Sequence, residues 1–228
     1  MPKESRVVAV ITGDIIGSSL YSPADRRRVD RVLRSAFTEM QGRFPGVVDT
    51  KLAFRVTAGD EFQCVLRDVA RVLDVLLYLR ALAAGGGLEP VLRFRASIGV
   101  GGVSVRGRAS SYEQDGTAFA RARQGLEALG ARPSPPRWTA LVTGNSEVDE
   151  SAEAILGLAD QLIQGWTVAQ WQAVRWMLLG ETRLVAARKL RIAHQNVSKR
   201  LLAAGWPYLQ PSLGFLAQRL TRAAITLK

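Results

Sequence analysis

The sequence predicts an α+β sandwich followed by an all-α module, and three observations carry that expectation. Continuous β-branched runs alternate with amphipathic helical patterns through the first two thirds of the chain. From about residue 147 the strand signals stop and only helical periodicity remains. The charge divides near the same place: residues 161–228 hold ten lysines and arginines against one acid, Glu181, and so carry most of the formal net charge of +11. With 228 residues and 47% hydrophobic content the chain can bury a substantial core, and the expected division is 1–146 for the sandwich and 147–228 for the helical part.

In chain order, Arg6 to Ile11 is an apolar, β-branched run suited to a central strand covered on both faces, with Gly13 and Gly17 bracketing a tight loop after it. Ser22 and Pro23 open a helix as N-cap and first helical residue. Val29, Val32, Leu33, Ala36, Phe37 and Met40 recur along it at three- and four-residue steps. Arg26, Arg27, Arg28, Arg31 and Arg34 fall mostly on the other face, a solvated surface first and a nucleotide or partner contact second. Lys51 to Thr57 and Glu61 to Leu66 read as a hairpin with Asp60 at its tip. A helix over Asp68 to Ala84 precedes a strand over Leu92 to Val100, whose glycines Gly99, Gly101 and Gly102 admit a ligand or another backbone. A helix over Asp115 to Leu129 and a strand over Trp138 to Thr143 complete a sandwich of helices on one antiparallel sheet. Glu147 to Gln164 is a bridging helix. Thr167 to Leu178, Glu181 to Leu190, Ala193 to Ala203 and Pro207 to Ile225 supply the remaining helices.

Composition narrows the function classes. No apolar run approaches the roughly 20 residues of a membrane span, and the polar start passes directly into a strand pattern, so no signal peptide or anchor is expected and cytoplasm is the default. One cysteine, Cys64, excludes an internal disulfide, and one histidine, His194, leaves no zinc cluster of ordinary spacing. A basic segment beside a nearly neutral one suggests that the basic part meets a polyanion, with solubility or codon bias as the bland alternative.

Two segments carry acids at strand ends beside glycine: Thr12-Gly13-Asp14-Ile15-Ile16-Gly17-Ser18-Ser19 and Ala58-Gly59-Asp60-Glu61-Phe62-Gln63. Either acid alone is ordinary turn chemistry. Brought together, Asp14 and Asp60 would supply the one or two carboxylates that Mg²⁺ takes beside phosphate, with the Ile15 backbone carbonyl completing the set. Amides of Ile16, Gly17, Ser18 and Ser19 would hold phosphate oxygens ahead of the following helix. Glu61 would bind a second metal or accept a proton.

These motifs resemble the nucleotidyl cyclase superfamily: Asp14-Ile15-Ile16-Gly17-Ser18-Ser19 is similar to the Asp-Ile-Val-Gly-Phe-Thr of class III adenylyl cyclases, and Ala58-Gly59-Asp60-Glu61-Phe62 to the Gly-Gly-Asp-Glu-Phe (GGDEF) hairpin of diguanylate cyclases. Phe94 to Gly101 and Asp115 to Arg123 look like the later strand and helix of both families, so the likeness covers about the first 145 residues. It implies a palm, or ferredoxin-like, cyclase-type sandwich, with Asp14 and Asp60 as metal ligands, Glu61 as an auxiliary acid and a site built across a dimer. Departures favour metal binding over turnover: Ala120 stands where the catalytic asparagine is expected, Arg121 and Arg123 are both out of register with the catalytic arginine, Val56 replaces the base-reading lysine, and Ala58 replaces the first glycine of the hairpin motif. The pairing of Thr-Gly-Asp-Ile-Ile-Gly-Ser and Gly-Asp-Glu-Phe-Gln motifs with a helical C-terminus resembles the SatD family, which implies no settled activity.

In the basic module, Val185, Ala186, Leu190, Ile192, Val197 and Leu201 mark two helices meeting at a sharp turn, a spacing similar to the helix-turn-helix of sigma-factor region four. The resemblance makes Ala193 to Ala203 the recognition helix, with Gln195 and Asn196 nearer base edges and Arg183, Lys189, Lys199 and Arg200 on phosphates, while Ser198 is exposed beside them. His194 serves there as a further contact or as a capping or packing residue. Trp166, Trp171, Trp176 and Trp206 read as core or interface residues rather than base-stacking platforms. The expectation is a protein that binds double-stranded DNA, a transcriptional regulator and homodimer, whose sandwich binds a purine nucleoside triphosphate or cyclic nucleotide with Mg²⁺ or mediates dimerisation. The alternatives are an active cyclase or nucleotidyltransferase using Asp14 and Asp60, a purely structural sandwich, and a helical module that only dimerises.

Overall fold

The computed structural model describes residues 6–49, 55–57, 60–89, 91–103, 116–131 and 136–226. It is an α+β fold with one five-stranded sheet in the order β2-β3-β1-β4-β5. The strands are β1 (Arg6–Ile15), β2 (Arg55–Thr57), β3 (Glu61–Leu66), β4 (Phe94–Val103) and β5 (Thr139–Val142). The helices are α1 (Pro23–Arg43), α2 (Val72–Ala84), α3 (Thr117–Ala131), α4 (Ser146–Gln164), α5 (Val168–Leu178), α6 (Arg183–Leu190), α7 (His194–Ala203) and α8 (Trp206–Thr226). Residues 51–54 and 58–59 of the expected hairpin, and Asp115 of the expected helix, lie outside the described residues.

β1 is central and buried on both faces, as its unbroken β-branched run requires. Val7, Ala9 and Ile11 face the large core shared with α1 and α2, whereas Val8 and Val10 face a smaller cluster with Ala118, Phe119 and Ala122 of α3. Two expectations are corrected. The sheet is mixed: β1 is antiparallel to β3 and β4, but β5 runs parallel to β4, because α3 crosses over between them and returns the chain in the same direction. β1 also continues through Gly13 to Ile15, so Gly13 is a strand residue and not the start of a loop. A Cβ there would collide with the Phe62 ring, which packs edge-on to Phe94 at 4.9 Å and beside Phe37 at 5.8 Å. The glycines of β4 admit backbone and not ligand: a side chain at Gly99 would strike Ala118 and Ala122, and one at Gly101 would strike Thr117. α3 thus lies closer to the sheet than a substituted strand permits.

Ser22 caps α1 by accepting the Asp25 amide at 3.2 Å, with Pro23 at the first turn. Arg26, Arg27, Arg28, Arg31 and Arg34 of α1 are exposed, and Arg34 pairs with Asp30 along the helix at 2.8 Å. The helical end is joined to the sandwich by side chains as well as by the chain. α5 packs on α2, α4 packs on β5 and α8, and one buried cluster runs from Ile11 through Tyr78 to Trp176 and Leu216. Arg175 donates to Glu39 at 3.0 Å, and the Tyr78 hydroxyl donates to the same carboxylate at 2.8 Å. Burial pushes the Tyr78 phenol up to about 12, helped by its bond to Glu39.

Asp160 of α4 is fully buried. It accepts from the amides of Trp138 and Thr139 at 2.8 and 2.9 Å and from the Thr139 hydroxyl at 2.7 Å, with the Arg80 guanidinium 3.9 Å away. Burial lowers Arg80 to about 10 despite that carboxylate. A buried acid of this kind orders β5 because both of its oxygens have donors.

Candidate functional site

At the end of β1 the chain gathers its acids. Asp14 lies opposite Glu61 in the β1–β3 ladder and opposite Arg95 in the β1–β4 ladder. The Asp60 carbonyl accepts the Ile15 amide at 3.1 Å, so the hairpin tip is fastened to the residue after Asp14. Side chains hold the same edge: the Ser18 hydroxyl donates to Asp60 Oδ2 at 2.6 Å, and Arg95 donates to both oxygens of Asp14, through Nε at 3.1 Å and through a shorter Nη2 contact. The bond to Asp14 is what holds the Arg95 guanidinium above its usual range, against the opposing effect of partial burial. Phe62 anchors the hairpin from below, so the Gly-Asp-Glu-Phe run is half site and half core.

After the strand, Gly17 takes the left-handed conformation at φ 77° and opens a short turn, Ser18–Leu20. Of the amides considered for phosphate, that of Ile16 is engaged by the Arg93 carbonyl at 3.0 Å, leaving Gly17, Ser18 and Ser19 on a half-exposed loop. Among the described residues no group of three or more His, Cys, Asp or Glu side chains is placed to hold a metal ion. The donors present, Asp60, Ser18 and Asp14, are the hard oxygens that Mg²⁺ takes, but both oxygens of Asp14 already serve a cation. A metal there has to share the carboxylate with Arg95 or displace it.

Arg95 is the residue that the sequence reading missed. Its signal was its place in Phe94-Arg95-Ala96, one residue from a core phenylalanine and therefore on the opposite face of β4. Arg121, weighed for the cyclase arginine, is occupied elsewhere: it donates to the Val100 carbonyl at 2.7 Å, five residues, or about 17 Å, along the strand from Arg95.

In the helical part, α5, α6 and α7 pack against one another around Val174, Ala186, Ala187, Val197 and Leu201, all buried. Thr182 caps α6 by accepting the Val185 amide at 3.2 Å. The turn between α6 and α7 is a Schellman closure: the Ile192 amide reaches the Ala187 carbonyl at 3.1 Å, and Arg191 adopts φ 55°, the only positive φ outside glycine among the described residues. With Val197 and Leu201 turned inward, α7 presents His194, Gln195, Asn196 and Lys199 to solvent, with Ser198 and Arg200 half-exposed beside them. His194 opens α7 with no capping bond and is exposed, which removes the packing alternative. Arg183, Arg188, Lys189 and Arg191 extend the basic surface across α6. Trp166, Trp171, Trp176 and Trp206 are buried, and the Trp166 indole donates to the Ala204 carbonyl at 2.9 Å, as expected of core residues.

The family model of the SatD family matches residues 7–208, and the chain belongs to that family. No curated protein matches it. No helix among the described residues is long and apolar enough to cross a membrane.

Proposed function

We propose that this SatD-family chain is a DNA-binding protein, a transcriptional regulator, in which α6 and α7 form a helix-turn-helix with α7 in the major groove. The observation that carries the proposal is the face of α7 opposite its buried Val197–Leu201 seam. Base-reading types, Gln195 and Asn196, stand there beside cations, Lys199 and Arg200, and across the turn from Arg183 and Lys189. Among the described residues none of these cations is in an ion pair within the fold, so their charge is available to phosphates. In this reading the protein acts as a homodimer, since dimer geometry sets half-site spacing.

The sandwich, in the same proposal, is a palm of the cyclase type that binds a purine nucleotide with Mg²⁺ or serves as the dimer scaffold. Support comes from the sheet order, which sets the hairpin strand β3 beside β1, and from the juxtaposition of Asp14, Asp60 and Glu61 at one end of these strands. When bound, the metal would supply charge neutralisation for the nucleotide phosphates. Asp60 and Asp14 would hold it with the Ile15 carbonyl, and the loop amides of Gly17, Ser18 and Ser19 would orient phosphate. The same carboxylates favour a second reading, a nucleotidyl cyclase or nucleotidyltransferase in which Glu61 is the auxiliary acid.

Binding to a pool of genomic fragments at fixed salt, with and without Mg²⁺ and each nucleoside triphosphate, tests both. Selective retention of fragments without a new nucleotide product supports the regulator, and a shift in affinity with nucleotide supports ligand control. A product that vanishes in Asp14→Ala and Asp60→Ala makes the chain an enzyme. Absence of both activities sinks the two readings together.

A further inference from the structure

A cleft lined by no acid among the described residues lies at the joint between the sandwich and the helical end. About 390 Å³ in volume, it opens between the start of β4, the end of α2 and the Gly165 corner that joins α4 to α5. That is the lower range of volumes that small ligands occupy. Its walls are aromatic and aliphatic: Phe94, Val91, Trp138 and Trp171, the last edge-on to Trp166 at 4.5 Å. Its polar groups are cationic or neutral, and no carboxylate lines it among the described residues.

Two arginines define the chemistry. Arg93 is exposed at the cleft, its guanidinium 5.5 Å from the centre of the Trp138 ring, and it has no ion pair among the described residues. Arg80 is nearly fully buried. Thr139 and the Trp138 carbonyl hold its two terminal nitrogens at 2.7 and 2.8 Å, yet its Nε has no hydrogen-bond partner. Buried donors without partners are uncommon in folded proteins, because each forfeits its hydration. The fold therefore leaves one open cation, Arg93, at a cleft with apolar walls, while Arg80 Nε is sealed within the packing beneath it and adds only its positive charge.

We infer that this cleft is a binding site for a small flat aromatic anion, whose ring lies against the Trp138 side of the cleft and whose acidic group pairs with Arg93. The site adjoins the acidic edge through the Arg93 carbonyl, which accepts the Ile16 amide, but no acid of that edge lines it and the inference does not depend on a nucleotide binding there. A ligand in it touches both β4 and the corner from which α5 leads to α6 and α7, so occupancy stiffens the joint between the two parts.

The test uses the full chain and 1-anilinonaphthalene-8-sulfonate as the flat anionic probe, read by energy transfer from tryptophan. One saturable site is expected. Arg93→Glu reverses the charge, and Val168→Trp, at a cleft residue 37% exposed and so tolerant of size, fills the space. Each should weaken the probe about tenfold or more, whereas Phe215→Ser, at an exposed apolar residue remote from the cleft lining, should leave it unchanged. Competition with indole-3-carboxylate and with phenyl phosphate then separates carboxylate from phosphate ligands, and displacement by either that requires Arg93 supports the inference. Probe binding that is indifferent to Arg93→Glu and Val168→Trp, or that is lost in Phe215→Ser, overturns it, as does displacement by neither acid. Matching thermal melts of the two cleft variants exclude misfolding as the cause of a loss.

Discussion

The acidic edge and the basic helical end treat charge in opposite ways. At the edge each carboxylate with a defined partner is satisfied inside the fold: Asp14 by Arg95, Asp60 by Ser18. At the helical end Arg183, Lys189, Lys199 and Arg200 stand on a scaffold of buried Val197, Leu201, Ala186 and Ala187 and make no internal ion pair among the described residues. The difference teaches where a partner is needed. Asp14 is neutralised within the fold by Arg95, so a ligand there has a cation to displace, whereas like charges gathered on one rigid face repel one another until a polyanion neutralises them. Even within the helical end the contrast holds. Arg175 points back to Glu39 and fastens the module to the sandwich, and Arg219 pairs with Glu147 of α4, while the cations of α6 and α7 make no such pair among the described residues.

Substitutions that exchange these two behaviours should give graded effects. The greatest is expected at Asp160, where internal neutralisation is complete. Asp160→Ala leaves the buried Arg80 without its carboxylate and two β5-side amides without an acceptor, a loss of about 3–5 kcal/mol in urea unfolding. Reversing unneutralised charge should do the opposite. Arg183→Glu with Lys199→Glu is expected to leave the melting temperature nearly unchanged, to weaken DNA binding on the order of a hundredfold, and to flatten the slope of log affinity against log salt by about two. A fall in stability without a change in salt slope would place those residues in the core and break the comparison.

At the acidic edge, Arg95→Gln removes the cation that occupies Asp14. Binding of Mn²⁺, followed by electron paramagnetic resonance, should tighten about tenfold, and the gain should disappear in the Arg95→Gln, Asp14→Ala double variant. A smaller effect concerns pH. Burial pushes the Cys64 thiol up from 9.0 to about 12, so above pH 9 the unfolded chain loses a proton that the folded chain keeps. The stability attached to this group is complete below pH 9 and is lost as pH rises towards 12, amounting to roughly 1 kcal/mol at pH 10. Urea unfolding at pH 7 and pH 10 should show that difference, reduced in Cys64→Ala, with the native thiol unreactive to Ellman's reagent at both.

Local pattern made much of this molecule legible. The Ser22-Pro23 start of α1 was readable because a cap and a fixed φ act within one turn, and the same holds for the turn after Leu190, where apolar spacing marks both helices. β1 was readable from Val7 to Ile11, where burial on both faces excludes polar side chains, but its continuation through Thr12, Gly13 and Asp14 was not. The exposed residues of α7 followed from the same periodicity, since two inward positions four apart determine which others face out. The pairing of Asp14 with Asp60 and Glu61 was legible only through the resemblance of two motifs, as nothing local says that β1 and β3 are neighbours.

What the sequence by itself determined is the set of elements, the division of charge and the residues that α7 presents, because all three depend on spacing within about a turn or a strand. Tertiary structure alone decided the parallel entry of β5, the use of Gly99 and Gly101 by α3, the capture of Asp14 by Arg95 and the buried meeting of Arg80 with Asp160. These involve residues from about 20 to more than 80 positions apart. Such contacts are selected by how well whole layers pack and by whether each buried charge finds a partner, and neither condition is written in any one segment.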